Sequence, residues 1–284
     1  MKKKILIISH DASPGGAQNS ILNLSKILKS LDYELYIILK KGGNLKEDFK
    51  KLGHCYFWNK IDISNSNNFI KILNKFINLN KVLNKILLNK ILSASPELCI
   101  CNTITNYEII KNIINKNIKL VTWVHELAYM YDVIEKVSLE KPKETIKITD
   151  FFLCASKAVQ DYLLDAHNIP TERTHILNEI INDKTLKIKK KKYGHFIIGG
   201  CGTLGWRKGS DLFLNVADIL INKLKVEGVR FEWLGAQKNT ISLLQFQHEI
   251  KQLGLEKFVK VILFEKNVES FMKSISLFLM SSRE

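Results

Sequence analysis

A glycine-rich stretch followed by two cations is the part of the sequence best suited to bind an anion. Residues 199–211 read Gly-Gly-Cys-Gly-Thr-Leu-Gly-Trp-Arg-Lys-Gly-Ser-Asp and follow a short apolar run. Glycines allow positive φ angles and close approach to the backbone, and the amides at a helix start are unpaired. Arg207 offers a forked donor and Lys208 a point charge, a pair suited to a diphosphate. The alternative interpretation is a tight strand-to-helix turn with two solvated cations.

Two further features lie where a parallel sheet binds its ligands, beyond the carboxyl ends of the strands. The loop 11–18, which contains Gly15 and Gly16, follows the first predicted strand, and His125 follows the strand predicted over 119–124. We therefore regard these residues as candidate site residues. For His125 the alternative is a purely structural hydrogen-bonding role, since buried imidazoles need partners in any case.

The elements that must position these residues alternate between strands and helices. Apolar runs of strand length alternate with segments of helical period, which predicts βα units around parallel sheets. Strands are predicted over 4–9, 34–39, 54–58, 97–102, 119–124, 151–156, 175–178, 195–201, 230–234, 259–264 and 276–280. Helices are predicted over 18–31, 45–52, 68–92 as one helix or two, 107–115, 157–166, 210–224, 241–253 and 268–274. The predicted fold class is α/β, with two doubly wound parallel-sheet domains.

A lysine-rich segment separates the two predicted domains. Residues 184–194 carry six lysines and little to bury, so we interpret them as a basic linker between a domain over 1–183 and a domain over 195–284. The basic region 69–92 is a second such segment. It is interpreted as a helix packed on the sheet with a solvated lysine face, and the alternative is a peripheral contact with an anionic membrane.

Composition limits the classes of function. The chain has 284 residues, 46% of them hydrophobic, which is enough for about two domains with substantial cores. The net charge of +15 permits a polyanionic partner, but no aromatic and basic interleaving or known nucleic-acid module is present, so nucleic-acid binding ranks last.

The N-terminal residues and the cysteines indicate the cellular compartment of the protein. The first apolar run is too short for a signal peptide, and no apolar stretch is long enough to span a bilayer, which predicts a cytoplasmic protein. The five cysteines form no C-x-x-C pair and have no histidine at zinc-like spacing, so neither a disulfide framework nor a metal site is predicted.

Several motifs together resemble glycosyltransferase family 4, whose members have the GT-B fold. Residues 13–18 (Ser-Pro-Gly-Gly-Ala-Gln) are similar to the family's Gly-Gly-Ala loop, 124–127 (Val-His-Glu-Leu) to its histidine-containing strand end, and 205–211 (Gly-Trp-Arg-Lys-Gly-Ser-Asp) to its Lys-Gly-x-Asp signature. Residues 155–178 and 231–235 also resemble the stretches that lead into the donor domain and close its second strand. The resemblance covers nearly the whole chain.

The resemblance implies a sugar transferase. It implies transfer from a nucleotide diphosphate sugar to a hydroxyl acceptor, with retention, across a cleft between the two domains. The expected acceptors include lipid-linked ones. The resemblance implies no cofactor and no metal. His125, Arg207 and Lys208 would be the catalytic residues. The substrate-binding residues would be Gly15, Gly16, Gly202, Thr203 and Glu284.

Two departures from the family pattern stand out. Thr203 occupies the place of an arginine, a role that Arg207 could take over. The family's pair of acids is incomplete: Glu284 is its first acid if Ser281 is the serine before the motif, and falls one residue short of it if Ser282 is. We therefore expect a C-terminally truncated chain. The alternatives are an inactive or binding-only fragment and a nucleotide-sugar epimerase of the same fold.

Overall fold

A computed structural model describes residues 2–58, 78–114, 117–137, 140–179, 194–264 and 268–283. The chain divides into two compact units, Met1–Asn182 and Asp183–Glu284. Each unit has its own parallel sheet, which confirms the predicted α/β class and the two Rossmann-like domains. Of the predicted basic linker, only Gly194 lies within the described residues.

The first unit contains a seven-stranded parallel sheet of order β3-β2-β1-β4-β5-β6-β7. The strands are β1 (Lys4–Ser9), β2 (Glu34–Leu39), β3 (His54–Phe57), β4 (Leu98–Asn102), β5 (Lys119–Val124), β6 (Phe151–Cys154) and β7 (Thr174–Ile176). Alternate residues of β1 pack on opposite faces of the sheet. Leu6 and Ile8 belong to one buried hydrophobic cluster, and Ile5 and Ile7 belong to another. Both faces of this central strand are therefore buried, as expected for a parallel sheet.

Seven α-helices of this unit lie within the described residues. They are α1 (Gly16–Ser30), α2 (Lys46–Lys50), α3 (Leu79–Leu92), α4 (Tyr107–Ile110), α5 (Ala128–Val137), α6 (Pro142–Ile148) and α7 (Lys157–His167). The Ser156 side chain accepts from Val159 N at the start of α7, and Asn168 ends that helix in the left-handed conformation. The sequence did not lead us to predict α5 and α6, and α4 is shorter than the predicted helix over 107–115.

Helix α3 is the described part of the basic region 69–92, whose first residues lie outside the described ranges. Leu88 and Ile91 pack in the same core as Trp58, while Ile86 is exposed. The helix therefore packs on the sheet through one face, as predicted. Contact of its lysine face with a membrane stays a prediction.

The second unit contains a four-stranded parallel sheet of order β10-β9-β8-β11. Its strands are β8 (Phe196–Cys201), β9 (Val229–Ala236), β10 (Val259–Leu263) and β11 (Leu277–Phe278), and its helices are α8 (Ser210–Asp218), α9 (Ile241–Gln252) and α10 (Val268–Ser274). Phe213 packs edge-on against Phe231 and Trp233 in the core. The predicted helix over 210–224 is α-helical only to Asp218 and continues as a π-helical turn.

Within the described ranges, no helix is both long and apolar enough to cross a membrane. All five cysteines are free thiols.

Candidate functional site

In the first unit, the strand order reverses between β1 and β4, and the polar residues of interest lie at that point. Asn102 ends β4, and its Nδ2 donates to the carbonyl of Ala17 in the first turn of α1, at 3.0 Å. Gly15 is the N-cap of α1. A doubly wound sheet binds ligands at such a reversal. Gly15 and Gly16 therefore lie where a ligand of this sheet is expected.

Four polar side chains form a hydrogen-bonded cluster after β1. Gln18 Nε2 donates to Asp11 Oδ1 at 2.6 Å and contacts His10 Nε2 at 2.8 Å, and the Ser13 amide and hydroxyl both donate to Asp11. Because the Asp11 carboxylate fixes the Gln18 amide as donor, His10 Nε2 is the acceptor, and its proton lies on Nδ1. That Nδ1 is buried and has no partner within the described part of the chain. The cluster fixes the loop that leads into α1.

The electrostatics of this cluster follow from burial and hydrogen bonding. Burial lowers the pKa of His10 below its ordinary value, and the neighbouring Asp11 only partly offsets this effect. Burial opposes ionisation of Asp11, but hydrogen bonds from Ser13 and Gln18 outweigh it and hold the pKa of the carboxyl below its ordinary value. At neutral pH the cluster therefore holds a neutral imidazole beside a carboxylate.

His125, directly after β5, is held between two oxygen atoms. Its Nε2 lies 3.0 Å from Asn102 Oδ1, and its Nδ1 lies 2.9 Å from Glu179 Oε1. The ring also packs beside Trp123, with the ring centroids 5.1 Å apart. Since Asn102 also bonds to Ala17, the histidine is tied to the start of α1. These contacts fix the orientation of His125, which a residue that must orient a substrate requires.

Two partly buried carboxyl groups, those of Glu126 and Glu140, belong to the same unit. The amide of His125 donates to Glu126 at 3.0 Å, and burial raises the pKa of the Glu126 carboxyl above its ordinary value. Lys40, at the end of β2, is buried, donates to the carbonyl of Thr105 and forms an ion pair with Glu140. The ion pair ties β2 to the segment before α6. No local sequence pattern indicates a role for Lys40.

In the second unit, the strand order reverses between β8 and β11, and the glycine-rich stretch lies at that point. Gly202 follows β8 with φ +143, and its carbonyl accepts from Trp233 Nε1 at 2.9 Å. A Cβ atom on Gly202 would lie 3.1 Å from Cγ of Lys208. The aliphatic part of Lys208 therefore lies across Gly202. Glycine is needed here because of its φ angle and because little space remains for a side chain.

Lys208 is half-buried, and Arg207 is exposed. Burial lowers the pKa of the Lys208 ammonium below its ordinary value, and the neighbouring Arg207 lowers it further. Neither cation forms an ion pair with any residue in the described ranges. Both residues belong to a 3-10 turn, Trp206–Lys208, which ends at Gly209 in the left-handed conformation. The turn leads directly into α8.

The segment after β11 holds this turn. Ser281 Oγ donates to the carbonyl of Lys208 at 3.1 Å, and the Arg283 amide donates to the carbonyl of Arg207 at 2.9 Å. A Cβ atom on Gly209 would lie 1.9 Å from the carbonyl oxygen of Ser281, so only glycine fits there. The structure thus brings Gly202, Arg207 and Lys208 to one end of the second sheet.

The remaining predicted residues divide into three groups. Thr203 adjoins Gly202 and is exposed, and Glu284 lies outside the described residues. Gly15, Gly16 and His125 lie together at the switch point of the first sheet, where its strand order reverses.

Sequence reasoning did not single out His10, Asn102 and Glu179, or Arg283 in the second unit. Their positions at strand ends were the available signal for His10 and Asn102.

Comparison with known proteins gives a match at the level of three-dimensional structure only. No family model matches the sequence, and no curated protein matches it. HepE of Anabaena with UDP-glucose has a TM-score of 0.71 at 15% identity, over 98% of this chain and 74% of that one. A Rickettsia africae glycosyltransferase has a TM-score of 0.70 at 15% identity, over 100% and 74%. The lipopolysaccharide outer core galactosyltransferase WaaB has a TM-score of 0.65 at 15% identity, over 99% and 74%.

The fold is that of the GT-B glycosyltransferases. A likeness at this identity shows the fold and not the reaction. A putative UDP-N-acetylglucosamine 2-epimerase from Listeria monocytogenes has a TM-score of 0.58 at 12% identity, over 96% of this chain and 71% of that one.

Proposed function

We propose that this protein is a glycosyltransferase of family 4 that transfers a sugar from a nucleotide diphosphate sugar to a hydroxyl acceptor, with retention. Cell-surface polysaccharide or glycolipid synthesis is the proposed setting, in the cytoplasm or at the inner face of the membrane. Two lines of support are the GT-B fold and the similarity to HepE, which was solved with UDP-glucose. The structure of the second unit adds a physical argument.

The observation that carries the proposal is the environment of Lys208. The Lys208 residue is half-buried, its burial disfavours the charged form of the ammonium, and the ammonium forms no ion pair with a described residue. It lies across Gly202 at the switch point of the sheet, one residue before the glycine that precedes α8. An anionic ligand would supply the missing partner. A diphosphate at this point would also meet the amides at the start of α8.

The proposed roles follow from the charge that develops during transfer. Negative charge accumulates on the departing diphosphate, and Lys208 and Arg207 would stabilise it together with the first amides of α8. Gly202 would leave room for the stem of Lys208, and the exposed Thr203 hydroxyl would donate to a phosphate oxygen. We assign this charge stabilisation to the protein's own cations, so we expect transfer to continue in the presence of a metal chelator.

His125 would act on the sugar side of the reaction. Nε2 of the ring is bonded to Asn102 and Nδ1 to Glu179, so a sugar hydroxyl would bind Nδ1 by displacing the half-exposed Glu179 while Asn102 keeps the ring in place. Gly15 and Gly16, at the start of α1, would make room for the substrate beside it. Retention rests on the family resemblance, and we assign no carboxylate as nucleophile.

A second candidate function is epimerisation of a nucleotide sugar. The similarity to a putative UDP-N-acetylglucosamine 2-epimerase favours it, since both reactions need a diphosphate site on the same fold. The two are separated by the products: an epimerase changes the donor without an acceptor, whereas a transferase releases nucleoside diphosphate in proportion to the glycosylated acceptor.

The test is turnover of a panel of UDP- and GDP-sugars with hydroxyl acceptors, including detergent-dispersed lipid-linked sugars, followed by analysis of the product's anomeric configuration. We expect Lys208→Ala to lower transfer by about 10²–10³-fold, the usual cost of removing one group that stabilises the transition state. Lys257→Ala, an exposed lysine of the same unit, is the control and should leave turnover unchanged. An unchanged rate in Lys208→Ala would remove the assignment.

A further inference from the structure

The segment that follows β11 forms hydrogen bonds with three successive carbonyls of the 3-10 turn Trp206–Lys208, which we call the cationic turn. Ser281 bonds the carbonyl of Lys208, the Arg283 amide bonds that of Arg207, and Arg283 Nη1 bonds that of Trp206 at 2.6 Å. The Trp206 carbonyl also accepts from the Gly209 amide at 3.1 Å, a bond within the turn itself. The backbone of the turn is therefore fixed from β11.

The Arg283 side chain makes two more contacts at the same place. Nη1 and Nη2 donate to the two carboxylate oxygens of Asp211 at 2.9 and 2.7 Å, a bidentate arrangement. The guanidinium also lies over the Trp206 ring, 4.9 Å from its centroid. One side chain thus joins the start of the turn to the first turn of α8.

Asp211 matters because of its position. A carboxylate in the first turn of a helix favours the helix dipole but opposes the binding of an anion at the same helix start. Arg283 donates to Asp211 and holds the pKa of the carboxyl below its ordinary value, so the carboxylate is ionised at neutral pH. Without Arg283, the negative charge of Asp211 in the first turn of α8 would be uncompensated and would oppose an anion bound at that helix start.

We propose that Arg283 is the positioning residue of the nucleoside diphosphate site: it fixes the turn that carries Arg207 and Lys208, and it neutralises Asp211 beside them. This inference rests on the function proposed above. Arg283 acts through its neighbours and needs no contact with the ligand. The bidentate pairing requires a guanidinium, so lysine should replace it only in part.

The test compares the affinity of UDP and GDP, by calorimetry, for the wild type and for Arg283→Met, Arg283→Lys, Asp211→Asn and the double variant Arg283→Met with Asp211→Asn. Arg283→Met should weaken binding by about tenfold, as expected when one charge near an anion site is no longer compensated. Arg283→Lys should lie between the wild type and Arg283→Met, and the double variant should recover part of the loss. Lys273→Met breaks a half-exposed ion pair with Glu269 in the same unit and is the matched control.

Two results would overturn the proposal: wild-type affinity in Arg283→Met, or a double variant that binds as weakly as Arg283→Met. A purely structural defect would give the second result, because removal of the Asp211 charge would not repair it. Hydrogen exchange at residues 205–209 separates this inference from the proposed function. If the wild type bound neither nucleotide, the proposed function would be contradicted. Faster exchange in Arg283→Met than in Lys273→Met would still support the fixing of the turn, and equal exchange would overturn it.

Discussion

Replacement of Gly209 by alanine tests whether the cationic turn is built against the end of β11. Gly209 has φ +64, and an added Cβ would lie 1.9 Å from the carbonyl oxygen of Ser281 and 2.7 Å from its carbonyl carbon. Both neighbouring atoms belong to the backbone, so the clash is relieved only if the turn and the 281–283 segment separate. Separation would break the bonds from Ser281 and Arg283 to the turn.

The magnitude has two parts. A left-handed conformation costs a non-glycine residue about 1–2 kcal/mol. Forcing extra volume into a packed contact costs about 1–3 kcal/mol more. Gly254 has φ +65 with no atom near its added Cβ, so Gly254→Ala carries the first cost alone. The expected difference between the two variants is therefore the contact with Ser281, about 1–3 kcal/mol.

The assay is urea unfolding followed by tryptophan fluorescence, supported by hydrogen exchange of the second unit. Both glycines lie in the unit Asp183–Glu284, so the two variants report on the same transition. Gly209→Ala should also weaken binding of UDP or GDP, while Gly254→Ala should not. Equal losses of stability in the two variants, with equal nucleotide affinity, would refute the close packing of the turn on the β11 end.

Three further predictions concern protonation and positioning. Because the pKa of Lys208 is lowered, its ammonium loses its proton at a lower pH than an ordinary lysine, whose pKa is 10.5. The affinity for nucleoside diphosphates, measured by calorimetry, should therefore fall as the pH rises towards 10.5. Lys208→Arg should abolish that fall, because arginine keeps its charge. Because the pKa of His10 is lowered in the folded state, the unfolded chain binds more protons below pH 6.5, so unfolding free energy should decrease on acidification. His10→Gln should reduce this slope in thermal melts, and an unchanged slope would contradict the role of His10. Asn102→Ala should cost about 1–3 kcal/mol by leaving buried groups unpaired. It should also lower turnover, because His125 loses the hydrogen bond that orients its ring. Full turnover in Asn102→Ala would show that His125 does not need this bond.

The sheets could be predicted from the sequence because parallel strands are buried on both faces. The apolar runs that form β1, β2 and β5 are continuous, and their predicted bounds match the structure. Helices α5 and α6 were missed because the segment 128–150 mixes apolar and charged positions without a clear helical period or cap. The helix over 210–224 changes to a π-helical turn, which the apolar period does not distinguish from an α-helix.

The candidate site could be predicted only in part. Glycines, cations and a strand-end histidine have recognisable local patterns, so Gly202, Lys208 and His125 could be named from the sequence. Their partners come from distant parts of the chain: Glu179 is 54 residues from His125, and Arg283 is 72 residues from Asp211. Such pairs follow from the three-dimensional packing of the sheet ends, and no local spacing indicates them.

The most direct test of the account is the affinity of nucleoside diphosphates for the wild type and for Lys208→Met, measured by calorimetry with UDP and GDP. The wild type should bind at least one of them, and Lys208→Met should weaken binding roughly 10- to 150-fold, the value of one charge-assisted hydrogen bond of about 1.5–3 kcal/mol. Lys257→Met should bind as the wild type does. Equal affinity in the wild type and Lys208→Met would contradict the central claim that this half-buried lysine holds the diphosphate.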